Sequence, residues 1–180
     1  MIRVGRTIYD KGGAPHHPSY DGFERIVVLM KSHSEWGVIG PYHLTDDQGR
    51  IFENIYQGSK CYRDIPATKI SYSRWNNKII WEHPSEIHVD QNGQILPAYW
   101  QWREKVMENQ YHLRYPVGRK HASKCLFAIP MDNLNERLDY ISSRKRIYAK
   151  LYIDLVRQHP KYDELWLLFG NGIVRYGLVA

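Results

Sequence analysis

The sequence predicts an α+β fold with more helix than strand, in a single compact domain over residues 1–180. Apolar side chains recur at helical spacing along the later part of the chain, and short apolar or β-branched runs are bounded by turn formers. No repeat, low-complexity segment or linker divides the sequence. A chain of 180 residues can bury roughly 70% of its unfolded surface, which is enough for one core.

Loops and short elements alternate in the first part of the chain. Residues 10–21 are rich in turn formers and predict a loop. Residues 24–30 end in five consecutive apolar residues and predict a buried strand. A loop with Gly and Pro over 36–42 and a turn at 46–49 then precede a predicted helix over 53–60.

The middle of the chain predicts strands on either side of one helix. Residues 78–90 fit two short strands that a proline interrupts, and residues 90–93 fit a turn. Pro97 suits the first turn of a helix that ends near Asn109. Residues 124–129 predict a further strand.

The longest helical pattern follows. Asp132 or Asn133 can cap a helix in which apolar residues keep 3/4 spacing, apart from an interruption at Arg144–Lys145. Pro160 marks its end. We then expect a helix over 161–169, stopped by a Gly-Asn-Gly sequence, and a last strand over 173–178.

The composition is that of a soluble globular protein with excess positive charge. The formal net charge is +6 and the pI is about 9.2, which favours polyanionic partners such as nucleic acid or phosphates. Two cysteines, Cys61 and Cys125, make no C-x-x-C pair. Because we find no signal-like run and no apolar stretch of membrane-spanning length, we expect a cytoplasmic protein with no membrane partner.

Residues 53–60, Glu-Asn-Ile-Tyr-Gln-Gly-Ser-Lys, hold the pattern most suggestive of chemistry. On a helix with roughly 100° per residue, Glu53, Gln57 and Lys60 fall within about 60° of one another. Ile55 and Tyr62 lie off this stripe and can pack. An acid, an amide and a cation on one face can hold a polar ligand, whereas the alternative is a polar stripe that simply faces water.

The same octet resembles the Glu-His-x-aromatic-Gln-x-x-Lys motif of the NADAR superfamily. Gly40-Pro41-Tyr42 resembles that family's upstream pocket loop, and the segment 100–107 resembles its Trp-x-x-x-Arg-x-x-Val-Met helix. The resemblance covers residues 36–172, after a partly irregular segment over 1–22. It implies a NADAR-like fold and an N-glycosidase that acts on ADP-ribose derivatives, with a role in reversing ADP-ribosylation in viral conflict or toxin neutralisation.

This chain departs from the family pattern at two places. Position 54 is Asn where the family usually has His. The Gly/Asp/Asn-rich stretch that closes the family's site near its C-terminus has no counterpart before Ala180. These departures keep a second function open, a module that binds a nucleotide or modified base without turnover. A third is a basic nucleic-acid-binding accessory protein.

The chemistry of the octet is compatible with glycosidic cleavage. A carboxylate stabilises the oxocarbenium-like sugar in the transition state and can deprotonate a water, and we assign both tasks to Glu53. Lys60 can hold a phosphate or a ribose hydroxyl, and can lower the pKa of Glu53 so that it stays ionised. Gln57 offers both a donor and an acceptor to a ribose or a base edge.

Other candidate residues would bind the substrate. The aromatic rings at positions 36, 42, 100 and 102 can stack on a nucleobase, although core packing is the commoner role of any single ring. The basic segment 114–124 can clamp a diphosphate or a nucleic-acid backbone, or can be a solvated loop. The predicted catalytic pair is Glu53 and Lys60, and the predicted substrate-binding residues are Trp36, Gly40, Tyr42, Asn54, Gln57, Trp100, Arg103 and Arg114.

We expect neither a metal nor a cofactor. Nine histidines are present, but none has the spacing of a metal-ligand motif, and no phosphate loop or dinucleotide fingerprint occurs. The expected partners are an ADP-ribose-like nucleotide as substrate and, from the positive charge, ADP-ribosylated DNA or RNA. The sequence leaves the oligomeric state open.

Overall fold

A computed structural model of the chain describes residues 3–4, 8–22, 26–28, 35–70, 81–170 and 175–178. Over these residues the fold is α+β with more helix than strand, which confirms the predicted class. A search of the same residues finds no helix whose length and hydropathy would let it cross a bilayer.

The described residues form five α-helices and nine short strands. The helices are α1 (Phe52–Gly58), α2 (Pro97–Met107), α3 (Tyr140–Ser143), α4 (Lys150–Gln158) and α5 (Lys161–Gly170). The strands are β1 (Arg3–Val4), β2 (Ile8–Tyr9), β3 (Pro15–His16), β4 (Ile26–Val28), β5 (Lys60–Tyr62), β6 (Asp64–Ile65), β7 (Glu86–Ile87), β8 (Cys125–Ala128) and β9 (Arg175–Leu178). Short 3₁₀ helices span Gly37–Ile39 and Arg119–Lys124, and a π-helical segment spans Arg144–Ala149.

The chain divides into two compact units. A terminal unit combines Met1–Leu44 with Asp154–Ala180, and a central unit comprises Thr45–Ile153. The prediction of one domain over residues 1–180 stays a prediction.

The terminal unit contains a parallel sheet and a hairpin. Strands β1 and β4 both pair in parallel with β9. This confirms a strand within each of the predicted ranges 24–30 and 173–178, whose remaining residues lie outside the described ones. Helix α5 begins at the predicted residue.

The segment 10–21, predicted to be a loop, contains strand β3. Strands β2 and β3 pair antiparallel across a tight turn. Asp10 closes this turn, since its carbonyl accepts from the Gly13 amide at 3.0 Å and its carboxylate accepts from the Ala14 amide at 2.8 Å. The sequence shows the turn formers, but the pairing depends on the partner strand.

The core of the central unit is built on the packing of α1 against α2. Strand β5 pairs antiparallel with β8, and β6 with β7. The predicted helix after Pro97 is confirmed and ends at Met107. Buried apolar residues of these elements and their loops form one cluster: Cys61, Tyr62, Ile65, Val89, Tyr99, Trp102, Val106, Leu113, Val117 and Ile129.

Helix α1 ends at Gly58, so the prediction that the helix includes Lys60 is wrong. Lys60 begins strand β5, where it pairs with Ala128. The reason is the close approach of the helices at Gly58. A Cβ on this residue would lie 2.8 Å from Cγ of Met107 and 3.1 Å from the carbonyl oxygen of Arg103. The glycine that permits this approach also weakens the helix.

The long helix starts later than predicted. Asp139, rather than Asp132 or Asn133, is the N-cap, and its carboxylate accepts from the Ser142 amide at 2.8 Å. The preceding residues cannot be helical because Leu138 exchanges two backbone hydrogen bonds with Ala128, each 2.8 Å long. That bridge extends the sheet that contains β5 and β8.

The interruption of the apolar pattern at Arg144–Lys145 coincides with the π-helical segment. A π turn holds more residues than an α turn, so the apolar spacing shifts there. The predicted turns at 46–49 and 90–93 are confirmed, with Gly49 and Gly93 at φ of +76° and +79°. Of the predicted strand pair at 78–90, the structure describes a bridge at His83 and strand β7.

Replacing Gly58 with alanine should destabilise the protein by about 1–3 kcal/mol, because the added methyl group overpacks the contact with α2. Chemical or thermal denaturation measures the change in the free energy of unfolding. In a Met107→Ala background the same substitution should destabilise the protein less, because Cγ of Met107, the atom nearest to the added methyl group, is absent. An equal cost in both backgrounds would contradict the proposed contact.

Candidate functional site

Every residue of helix α1 is buried, including its polar ones. The side chains of Glu53 and Gln57 are each only 6% exposed. The polar stripe therefore does not face water, which removes the simpler of the two interpretations of the octet. Ile55 and Tyr62 are buried in packing positions, as predicted.

A short chain of hydrogen bonds joins the three polar side chains of the octet. The Gln57 amide nitrogen Nε2 donates to Oε1 of Glu53 at 2.7 Å. The Lys60 ammonium donates to Oε1 of Gln57 at 2.9 Å. Although Lys60 lies on β5 and not on α1, it reaches the same site. Its charge and that of Glu53 together fix the orientation of the Gln57 amide.

The second carboxylate oxygen of Glu53 is the atom that could receive a ligand. Within the described part of the chain, Oε2 accepts no hydrogen bond. A carboxylate that is almost wholly buried normally has partners at both oxygens. Glu53 is thus held in place at Oε1, whereas Oε2 can still accept a hydrogen bond from a ligand.

Two arginines complete the electrostatics of this site. Arg114 and Arg144 lie close enough for their positive charges to act on the Glu53 carboxylate, together with Lys60. We call Glu53, Gln57, Lys60, Arg114 and Arg144 the Glu53 cluster. With Glu53 ionised, three cations face one anion, so the cluster has an excess of positive charge.

Burial raises the pKa of Glu53 above its ordinary value of 4.5, and the hydrogen bond from Gln57 and the nearby cations only partly oppose this. Lys60 lowers the pKa of Glu53, as predicted, but desolvation is the larger effect and the net shift is upward. Burial also lowers the pKa of Lys60, against the attraction of Glu53. A carboxyl with a raised pKa is a better proton acceptor once ionised.

Two tyrosines flank the cluster. The Lys60 ammonium lies 4.5 Å from the centroid of the Tyr56 ring. The Arg144 guanidinium lies 3.7 Å from the centroid of the Tyr148 ring and 5.6 Å from that of Tyr56. Burial, and the nearby charge of Glu53, raise the pKa of Tyr148 to about 12. These rings hold both cations beside the carboxylate through cation–π contacts.

Asn54 positions Arg114 and has little capacity left for a ligand. Its amide nitrogen donates to the carbonyl oxygens of Asn109 and Tyr111, each at 2.9 Å, and its Oδ1 accepts from the Leu113 amide at 2.6 Å. Both N–H groups are used. Because Leu113 directly precedes Arg114, Asn54 ties the arginine to the helix that carries Glu53.

Arg103 is likewise committed to the interior. Its guanidinium donates to the carbonyl of Ile129 at 2.9 Å and to the Tyr99 hydroxyl at 3.2 Å. The Tyr99 hydroxyl in turn donates to the Ser59 carbonyl at 3.1 Å. Arg103 therefore fixes the C-terminal end of α1, and Trp100 packs edge-on against Tyr99 at the margin of the core.

The other predicted ligand contacts belong to the terminal unit. Trp36 is 8% exposed, with the ammonium of Lys161 at 5.1 Å from its ring centroid. The carbonyl of Gly40 accepts from the amides of His43 and Leu44. Tyr42 is buried. For Trp36, Gly40 and Tyr42, contact with a ligand at Glu53 stays a prediction.

The basic segment has two distinct parts. Arg114 is half-buried and belongs to the Glu53 cluster, whereas Arg119, Lys120 and Lys124 are exposed on the 3₁₀ helix that leads into β8. The prediction of a solvated loop and that of a backbone clamp both fit these exposed residues.

Arg144 and Tyr148 were not predicted as site residues. Both fall inside the apolar pattern of the predicted helix, where Tyr148 fits as a packing residue. The break in that pattern at Arg144 is the available signal, because π segments often occur at functional sites.

Within the described residues no group of three or more His, Cys, Asp or Glu could hold a metal ion. Comparison of the chain with known protein families, with curated proteins and with solved structures finds no significant match.

Replacing Glu53 with glutamine should stabilise the fold at neutral pH. A carboxyl whose pKa is raised in the folded state costs stability as the pH rises from 4.5 through the raised value. The variant should therefore melt at a higher temperature than wild type at pH 7, and the difference should vanish near pH 4. Glu104→Gln, at an exposed position on α2, is the control and should show no such pH-dependent gain. A lower melting temperature for Glu53→Gln at pH 7 would contradict the assignment.

Proposed function

We propose that this protein hydrolyses the N-glycosidic bond of a ribosylated substrate that carries phosphate groups, with ADP-ribose on a nucleobase as the expected form. The observation that supports this most is the buried Glu53 carboxylate, open at Oε2 and surrounded by Lys60, Arg114 and Arg144. The resemblance of residues 53–60 to the NADAR motif points to the same chemistry.

The charges of the cluster suit such a substrate. Three cations near the sugar ring would repel the positive charge that develops there and destabilise the transition state, unless the substrate neutralises these cations. A diphosphate with two negative charges offsets the excess that remains after Glu53 is counted. The arginines can bind phosphate oxygens in a bidentate manner, which leaves the carboxylate to act on the sugar.

In the proposed reaction the bond between the anomeric carbon and the base nitrogen breaks, and its electron pair leaves with the nitrogen. Glu53 stabilises the oxocarbenium-like transition state and accepts a proton from the attacking water, whose oxygen bonds to the anomeric carbon. The leaving nitrogen takes up a proton from solvent, and Glu53 returns the proton that it accepted to solvent. The second N–H of Gln57 can donate to a ribose hydroxyl and so orient the sugar.

A direct test incubates the protein with ADP-ribosylated guanosine and with ADP-ribosylated DNA, and detects released ADP-ribose by mass spectrometry. We expect release by wild type and a loss of about a hundredfold or more in Glu53→Gln, with ligand binding retained. Glu104→Gln should keep full activity.

Two other outcomes would identify the alternative functions. Binding of the nucleotide without release by wild type would indicate a binding module. Salt-dependent DNA binding that ignores Glu53→Gln but weakens in Arg119→Ala and Lys120→Ala would indicate a nucleic-acid-binding accessory protein.

The pH dependence tests Glu53 as the proton acceptor. Activity should rise with pH as Glu53 loses its proton, with a midpoint above the ordinary glutamate range. Lys60 favours the ionised form of Glu53, so Lys60→Met should move this acidic limb of the kcat/KM profile to higher pH. Arg114→Met should move it in the same direction. A limb that stays in place in both variants would exclude Glu53 as the titrating group.

A further inference from the structure

A cleft lies in the central unit and shares no lining residue with the Glu53 cluster. Its volume is about 550 Å³, within the usual range for sites that bind small molecules. It is lined by the segment before β7 and by the last turn of α2 with the loop after it. The lining residues are Trp81, Glu82, His83, Pro84, Lys105, Glu108, Asn109, Gln110 and Tyr111.

A fixed aromatic platform forms part of this cleft. The rings of Trp81 and His83 stack with centroids 5.4 Å apart and an angle of 11° between their planes. The imidazole is held by a 2.7 Å hydrogen bond from Nδ1 to the Pro84 carbonyl, and the backbone of His83 pairs with that of Thr68. Because His83 is buried and Trp81 only partly so, the indole is the ring that a ligand can reach.

The loop after α2 is also fixed before any ligand arrives. Asn54 holds the carbonyls of Asn109 and Tyr111, and the Asn109 side chain accepts from the Tyr111 amide at 2.9 Å. The Tyr111 ring remains 40% exposed. A rigid loop lowers the entropic cost of binding, so this side of the cleft is prepared for a ligand.

The polar groups of the cleft are available for hydrogen bonds. Within the described part of the chain, the side chains of Glu82, Lys105, Glu108 and Gln110 make no hydrogen bond or ion pair. Two carboxylates outweigh one ammonium, so the cleft is unsuited to phosphate groups. Carboxylates accept hydrogen bonds from N–H groups and cannot donate when ionised.

An aromatic platform, acceptor side chains and a slight negative charge together describe one class of ligand. We propose that this cleft binds a nucleobase. The base stacks on Trp81, and the N–H groups of the base donate to the carboxylates of Glu82 and Glu108. The phosphates of a nucleotide or a nucleic-acid strand then lie outside the cleft. This site is independent of the proposed glycosidase chemistry, because none of its residues belongs to the Glu53 cluster.

The test is titration of the full chain with guanosine, adenosine and ribose, followed by calorimetry and by saturation-transfer NMR. At least one nucleoside should bind saturably, and ribose should not, because it lacks the base. Trp81→Leu should weaken nucleoside binding about tenfold or more, as expected for the loss of base stacking. Trp166→Leu, at an exposed indole of α5, should leave binding unchanged.

A second variant keeps the test decisive if Trp81→Leu fails to fold. The double substitution Glu82→Gln and Glu108→Gln should weaken nucleoside binding severalfold, whereas Glu104→Gln should not change it. The proposal is overturned if neither nucleoside binds, or if binding survives both cleft variants, since that would place the base outside this cleft.

Discussion

The structure of the central unit depends on the complete burial of the seven-residue helix α1. A buried helix that carries polar side chains is stable only when those groups find partners, because an unpaired buried polar group is costly. Asn54 meets this requirement with a distant loop, and Gln57 meets it with Glu53 and Lys60. The polar residues of α1 thereby determine which loop and which strand pack around it.

Close packing imposes a second condition on the same helix. Gly58 lets α1 approach α2, and the Tyr99 hydroxyl, which accepts from Arg103, donates to the Ser59 carbonyl just after α1. The chain turns directly into β5, which places Lys60 beside Gln57. The geometry of the Glu53 cluster therefore follows from how tightly two helices pack.

Electrostatics link this packing to the proposed function. Burial of Glu53 costs stability, and the surrounding cations offset that cost only in part, so its pKa stays raised. Buried groups whose pKa is shifted by desolvation and by nearby charges are often found at functional sites. The same excess of cations that stabilises the carboxylate gives the cluster its expected preference for phosphate.

Much of the local structure could be predicted from the sequence. Turn chemistry identified the turns that end in Gly49 and Gly93, Pro97 marked the start of α2, and apolar runs located β8 and α5. The errors arose where a distant partner overrides local preference. Leu138 pairs with Ala128 and delays the long helix, and Met107 crowds Gly58, where α1 ends early.

The sequence by itself determined the class of fold and the surplus of positive charge. It also determined that Glu53 and Gln57 lie next to each other on one face of a helix. Only the tertiary structure decided that the stripe is buried, that Arg114 and Arg144 act on Glu53, and that Asn54 and Arg103 serve the scaffold. The physical reason is that helical spacing is a local property of consecutive residues. Desolvation and charge proximity instead depend on residues far apart in the chain, which packing alone brings together.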